Sequence, residues 1–67
     1  MLKKGDRIRL LSIPEDPDPI PVGAIGTVLD VEQVGAGEYR WYQVSVEWDS
    51  GRRLMLSVPP DLVAQET

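Results

Sequence analysis

The side chains available for chemistry in this chain are carboxylates, hydroxyls, lysines and arginines, because its 67 residues include no cysteine and no histidine. Cys/His metal sites and histidine-activated nucleophiles are therefore excluded. Glu47 and Asp49 lie close in sequence, and Glu15, Asp16 and Asp18 form a carboxylate cluster. Neither group has the spacing of an acid–base pair, and the cluster lacks the glycine and spacing of an EF-hand loop. We expect no enzyme activity, no cofactor and no metal.

Basic residues are concentrated at the start of the chain. The first nine residues hold one carboxylate, that of Asp6, and four cations: Lys3, Lys4, Arg7 and Arg9. Such a patch can contact phosphates or the carboxylates of a partner. It can also pair within the chain, with the acidic loop that follows directly. The sequence leaves both interpretations open and favours internal pairing.

A second candidate surface combines an aromatic cluster with a proline-rich segment, residues 14–21. An arginine between two aromatic residues is typical of protein hot spots and of single-strand binders. The prolines can present a recognition loop or form a solvated spacer. The tryptophan of the cluster either contacts a partner or covers an open end of the fold. The candidate residues of this surface are Tyr39, Arg40, Trp41, Pro17 and Pro19.

Length and charge restrict the class of protein. A chain of 7.5 kDa makes one small domain, here residues 1–67, with a thin core. The net charge of −4 argues against general binding to polyanions. The longest apolar run is too short to span a bilayer, and no signal sequence is recognised. We therefore expect a cytoplasmic protein, either a monomer or a weak homo-oligomer.

Alternation of apolar and polar residues predicts five short strands with glycine- and proline-rich turns. In residues 6–12 the alternation places Ile8 and Leu10 on one face and Arg7 and Arg9 on the other. The later strands are predicted within residues 22–32, 39–48, 54–58 and 62–64. A proline-rich loop over residues 13–22 and a frayed tail over residues 65–67 complete the chain, with a single helical turn at Asp61.

The hairpin between the third and fourth strands has a predictable register. A three-residue loop, residues 49–51, pairs Val46 with Leu54 and so keeps one face of the hairpin apolar. Such loops favour glycine at their left-handed last position. We therefore expect a positive φ at Gly51 and Glu47 opposite Arg53.

The fold class that these elements predict is all-β: a single small five-stranded antiparallel SH3-like barrel with a long proline-rich first loop. Val28 and Val31 can share a face of the second strand only if a bulge or strong twist separates them. The predicted core consists of Ile8, Leu10, Val22, Ile25, Val28, Val31, Val44, Val46, Trp48, Leu54, Leu56 and Leu62.

Three ordered motifs carry a resemblance to known families. They are Lys4-Gly5-Asp6-Arg7-Ile8-Arg9-Leu10, then Gly23-x-x-Gly26-Thr27-Val28, then Val46-x-Trp48-Asp49-x-Gly51. Over residues 3–63 the chain resembles small uncharacterised bacterial and phage domains, which implies an SH3-like barrel with no assigned activity. The first two motifs are also similar to the KOW motif of ribosomal proteins and transcription elongation factors. That likeness implies contact with RNA or polymerase.

Three functions follow as hypotheses. The first is a non-catalytic binding module that docks a protein partner through the proline-rich loop and Tyr39, Arg40 and Trp41. The second is a KOW-like nucleic-acid contact through the basic patch and the same aromatic residues. The third is a structural homo-oligomer that uses an exposed strand edge.

Overall fold

Five antiparallel strands form one sheet. The computed structural model describes residues 2–13 and 20–66, so the loop prolines Pro17 and Pro19 lie outside the described residues. The sheet has the strand order β4-β3-β2-β1-β5. Its strands are β1 (Arg7–Ser12), β2 (Ile25–Val34), β3 (Trp41–Trp48), β4 (Arg53–Val58) and β5 (Leu62–Glu66).

The predicted all-β class is confirmed, and one core serves all of the sheet. Its fully buried side chains are 0–1% exposed: Ile8, Leu10, Ile20, Val28, Val44, Val46, Trp48 and Leu56. A flat sheet without a second layer leaves both of its faces exposed to solvent. Burial this complete therefore requires the sheet to fold over itself. The arrangement is compatible with the expected SH3-like barrel. Among the described residues β4 and β5 are the edges of the sheet and do not pair with each other.

The β3–β4 hairpin has the predicted register. Val46 pairs with Leu54 and Glu47 pairs with Arg53. The Gly51 N–H donates to the Trp48 carbonyl at 2.8 Å, which closes the three-residue loop. Gly51 has a φ of 96°, a conformation that side chains disfavour and that this loop type requires.

Strand β2 contains the shift in register that Val28 and Val31 require. Its register against β3 shifts between Val28 and Asp30, which lets both Val28 and Val31 face the core. Position 26, earlier in the strand, requires a glycine because a side chain there would collide with residues of β3. A Cβ there would lie 2.6 Å from Cγ1 of Val46 and 2.9 Å from the Trp48 ring. Strand β2 therefore packs directly against the end of β3.

The predicted core needs three corrections. Ile25 is half-buried and lies opposite the outward-facing Arg9 of β1, so it is not part of the core cluster. Val22 is 69% exposed because it sits at the tip of a tight turn, which the Ala24 N–H closes by donating to the Pro21 carbonyl at 3.0 Å. Leu62 is also exposed, because the register between β1 and β5 shifts beside it. Their places are taken by Ile20, fully buried after the proline-rich loop, and by Val63, which packs against the core.

The end of the chain also differs from expectation. No helical turn forms at Asp61. Instead the Ser57 N–H donates to its carboxylate at 2.9 Å, and its own N–H donates to the Ser57 carbonyl. Strand β5 continues through Gln65 and Glu66, residues that the sequence analysis assigns to the tail. No helix among the described residues has the length and apolar character needed to cross a membrane.

Candidate functional site

Arg7 is held by two partners from distant parts of the chain. Its guanidinium donates to both carboxylate oxygens of Asp49, at 2.8 and 2.6 Å, and to the Thr27 hydroxyl at 2.9 Å. Thr27 is its cross-strand neighbour on β2, and Asp49 begins the β3–β4 loop. This bidentate pair orients Arg7 along the surface of the protein.

The ion pair shifts the acid–base behaviour of both groups. Hydrogen bonding from Arg7 lowers the pKa of the Asp49 carboxyl below its ordinary value, and the same bond raises the pKa of Arg7. Both side chains are exposed, so solvent screens the interaction and its contribution to stability is small.

The other cations of the basic patch divide into paired and unpaired groups. Arg9 pairs with Glu66 of β5. The Lys3 ammonium lies 3.5 Å from the buried carboxylate of Asp6. Among the described residues Lys4 makes no ion pair. Internal pairing was the favoured interpretation of this patch, but Arg7 and Arg9 have their partners in the β3–β4 loop and in β5.

The aromatic cluster lies at the turn between β2 and β3. Tyr39 is 84% exposed and ends a short 3-10 helix, Gly37–Tyr39, in which the Arg40 N–H donates to the Gly37 carbonyl at 3.3 Å. Gly35 permits the turn because its φ is 76° and a Cβ there would lie 2.6 Å from the Tyr39 carbonyl oxygen. The prediction that β3 begins at Tyr39 was wrong, since the strand begins at Trp41.

The outward face of β3 continues this cluster onto β4. Trp41 is half-buried and pairs with Val34 at the end of β2, so it is neither fully exposed nor part of the closed core. Gln43, the next outward residue, places its side-chain nitrogen 3.0 Å from the sulfur of Met55. Met55 is 56% exposed. We call Tyr39, Arg40, Trp41 and Met55 the docking surface.

On the inner side of the same strands lies an apolar cavity of about 310 Å³. It opens between the N-terminal segment and strands β2, β3 and β4. The residues that line it are Leu2, Val31, Tyr42, Val44 and Val58. Sequence patterning assigned two of these side chains, Val31 and Val44, to the core, but it carried no signal that space would remain beside them.

Carboxylates in the described part of the chain do not gather into a reactive or metal-binding group. Glu47 accepts a hydrogen bond from Arg53 at 3.0 Å across the hairpin, and Asp49 holds Arg7. No group of three or more potential ligands that could hold a metal occurs within residues 2–13 and 20–66. The cluster of Glu15, Asp16 and Asp18 lies outside the described residues.

The structure therefore separates the predicted site residues. Tyr39, Arg40 and Trp41 stay together, whereas Arg7 and Arg9 are engaged in ion pairs elsewhere. Sequence reasoning missed Met55, although the inward parity of Leu54 and Leu56 already directs it outward. No family model, curated protein or solved structure matches this chain.

Proposed function

We propose that this chain is a non-catalytic binding module that docks a protein partner through the docking surface. The observation that carries the proposal is the exposure of Tyr39, Arg40 and Met55 on the outer side of the β2–β3 turn and β4. Aromatic residues, methionine and arginine are the residue types enriched at protein interfaces.

The backbone that carries this surface is ordered, which also suits docking. Tyr39 and Arg40 stand on a turn held by backbone hydrogen bonds, the Tyr39 N–H to the Ala36 carbonyl at 3.2 Å among them. Trp41 and Met55 belong to paired strands. Because this backbone is already ordered, binding a partner does not carry the additional entropy cost of ordering a loop. The proposed partner offers apolar side chains and a carboxylate opposite Arg40, and the module acts in the cytoplasm.

The basic patch supports a nucleic-acid contact less well. Arg7 and Arg9 already pair with Asp49 and Glu66, so a phosphate would have to displace both carboxylates. The net charge of −4 repels polyanions as well. Contact with RNA, and self-association through an open edge of the sheet, are therefore treated as alternative outcomes of the test.

Site-specific photocrosslinking tests the proposal. A benzophenone amino acid replaces Tyr39 in one preparation and Leu62 in the other, a residue that is also exposed but lies on β5 at the opposite edge of the sheet. We expect a discrete protein adduct from position 39, resistant to nuclease, and none from position 62. A Met55→Ala substitution should weaken the adduct.

Three results would overturn the proposal. One is an adduct that nuclease removes, which would favour the nucleic-acid function. Another is an adduct with a second copy of the chain. The third is equal crosslinking from the two positions, which would mean that the docking surface has no preference for a partner.

A further inference from the structure

The apolar cavity has the size and walls of a small-ligand site. Its volume of about 310 Å³ falls at the lower end of the roughly 300–1,000 Å³ typical of such sites. Val44 is fully buried and lines its interior, while Val31, Tyr42 and Val58 are half-buried. Among the described residues that line it, the only polar side-chain group is the Tyr42 hydroxyl. This lining favours a hydrocarbon group over a polar one.

The mouth of the cavity has a different chemistry. A shallower depression shares Leu2, Val31 and Tyr42 with the cavity, so the two adjoin along these side chains. The side chains that it adds are polar: Lys3, Lys4, Asp30 and Gln33. An apolar cavity thus opens onto a shelf with two ammonium groups and one carboxylate.

The two ammonium groups are not equivalent. Lys3 already faces the buried carboxylate of Asp6, whose other oxygen accepts the backbone N–H of Lys3 at 3.0 Å. Lys4 is exposed and makes no ion pair within the described residues. An anion on the shelf would therefore find its main partner in Lys4, with Lys3 adding charge nearby.

We propose that the cavity binds a small amphipathic monocarboxylate. Its hydrocarbon part lies between Val31, Tyr42 and Val58, and its carboxylate lies on the shelf beside Lys4. A single negative charge suits the site, because a protein of net charge −4 repels polyanions such as acidic peptides at long range. A neutral ligand would fill the same cavity without using the lysines. This site is distinct from the docking surface and does not depend on the proposed function.

A titration with decanoate, followed by two-dimensional amide NMR below its micelle concentration, tests the assignment. We expect saturable shifts centred on Leu2, Val31, Tyr42, Val44 and Val58. Acetate, which has the head group alone, should leave these amides unmoved. Decanol, which has the chain without the charge, should bind more weakly than decanoate.

Charge variants then test the shelf. The substitution Lys4→Gln should weaken decanoate binding about 5-fold, the loss expected for about 1 kcal/mol of exposed charge pairing. A matched control is Arg53→Gln, which also removes charge from the surface but lies on β4 near the hairpin loop. It should bind decanoate like the native protein, as should Tyr39→Ala.

Several outcomes would overturn the proposal. Decanol binding as tightly as decanoate would show that the lysines take no part. Equal weakening by Arg53→Gln and by Lys4→Gln, which each remove one positive charge, would mean that only the net charge of the protein matters. Shifts centred on Met55 or scattered over the sheet would place the ligand outside the cavity. An acidic peptide that competes with decanoate and binds more tightly would assign the site to a protein partner.

Discussion

The two ends of strand β3 differ in how completely their apolar side chains are covered. At the end near Trp48, neighbouring side chains such as Ile8 are 0–1% exposed. At the end near Tyr42, half-buried side chains including Val31 and Val58 surround a cavity of about 310 Å³. The same sheet therefore has a packed end, which contributes most to stability, and an open end with room for a ligand.

Most charged groups follow the same division, the exception being Lys3, which lies at the open end and pairs with Asp6. At the packed end, Arg7 and Asp49 form a bidentate pair. At the open end, Lys4 makes no ion pair among the described residues, and Arg40 stands exposed beside Tyr39. Charged side chains that pair within the protein contribute to the fold but are less available to bind a partner. The comparison indicates that binding should be sought where packing and pairing are incomplete.

The largest expected effect comes from removing a side chain of the fully buried core. Ile20→Ala should lower the free energy of unfolding by about 2–5 kcal/mol, because it leaves a cavity where the side chain was 1% exposed. Val22→Ala, two residues later and exposed, should change it by less than about 0.5 kcal/mol. Urea denaturation of both variants measures the difference. Similar values would mean that Ile20 does not belong to the core.

A matched pair on β2 compares the two ends directly. Val28→Ile adds a methylene to a fully buried site and should destabilise the protein by roughly 1–3 kcal/mol. Val31→Ile adds the same group beside the cavity and should be neutral or stabilising by about 0.5 kcal/mol. Thermal melts of the two variants measure these changes in stability. Equal losses would indicate that the cavity closes in solution.

A smaller effect is expected from the Arg7–Asp49 pair, and it should depend on pH. Arg7 holds the pKa of Asp49 below the ordinary value of 3.8, so the pair contributes stability above about pH 4 and loses it as the pH falls through the lowered pKa. The stability difference between the native protein and Asp49→Asn should therefore shrink in acid. In an Arg7→Gln background this pH dependence should disappear, and its persistence would assign the effect to another group.

The smallest effect on stability is expected at the docking surface. Tyr39→Ala should change the free energy of unfolding by less than about 0.5 kcal/mol, because the side chain is 84% exposed. The same substitution should abolish the proposed docking of a partner. Calorimetry of the free protein measures the effect of the substitution on stability. A clear destabilisation would show that Tyr39 packs against the fold instead of facing solvent.

Local features of this chain were predictable wherever one register or turn is clearly better than its alternatives. The β3–β4 loop had to keep Val46 beside Leu54, and only a loop ending at Gly51 achieves this. The bulge after Val28 was likewise required by the parity of Val31. The sequence placed Tyr39 and Arg40 on a candidate binding surface, and both are exposed, although β3 begins at Trp41 and not at Tyr39.

The partners of the basic patch could not be predicted in this way. Arg7 and Asp49 are 42 residues apart, and Arg9 and Glu66 are 57 residues apart. The sequence favoured a nearby acidic loop because short tethers bring charges together easily. Pairing of β1 with β2 and β5 instead placed distant carboxylates within reach. Ile20 was missed for the same reason, since its neighbours depend on where the loop returns to Leu10.

The amino-acid sequence by itself determined the five strands, the inward and outward faces of β1, β3 and β4, the hairpin register and the absence of Cys/His chemistry. These features depend on side-chain alternation and turn residues, which act over a few positions of the chain. Only the tertiary structure decided which carboxylate holds each arginine and where the core stays open. Both depend on how distant strands meet when the sheet folds over, and a cavity is space that no residue fills and no sequence pattern marks.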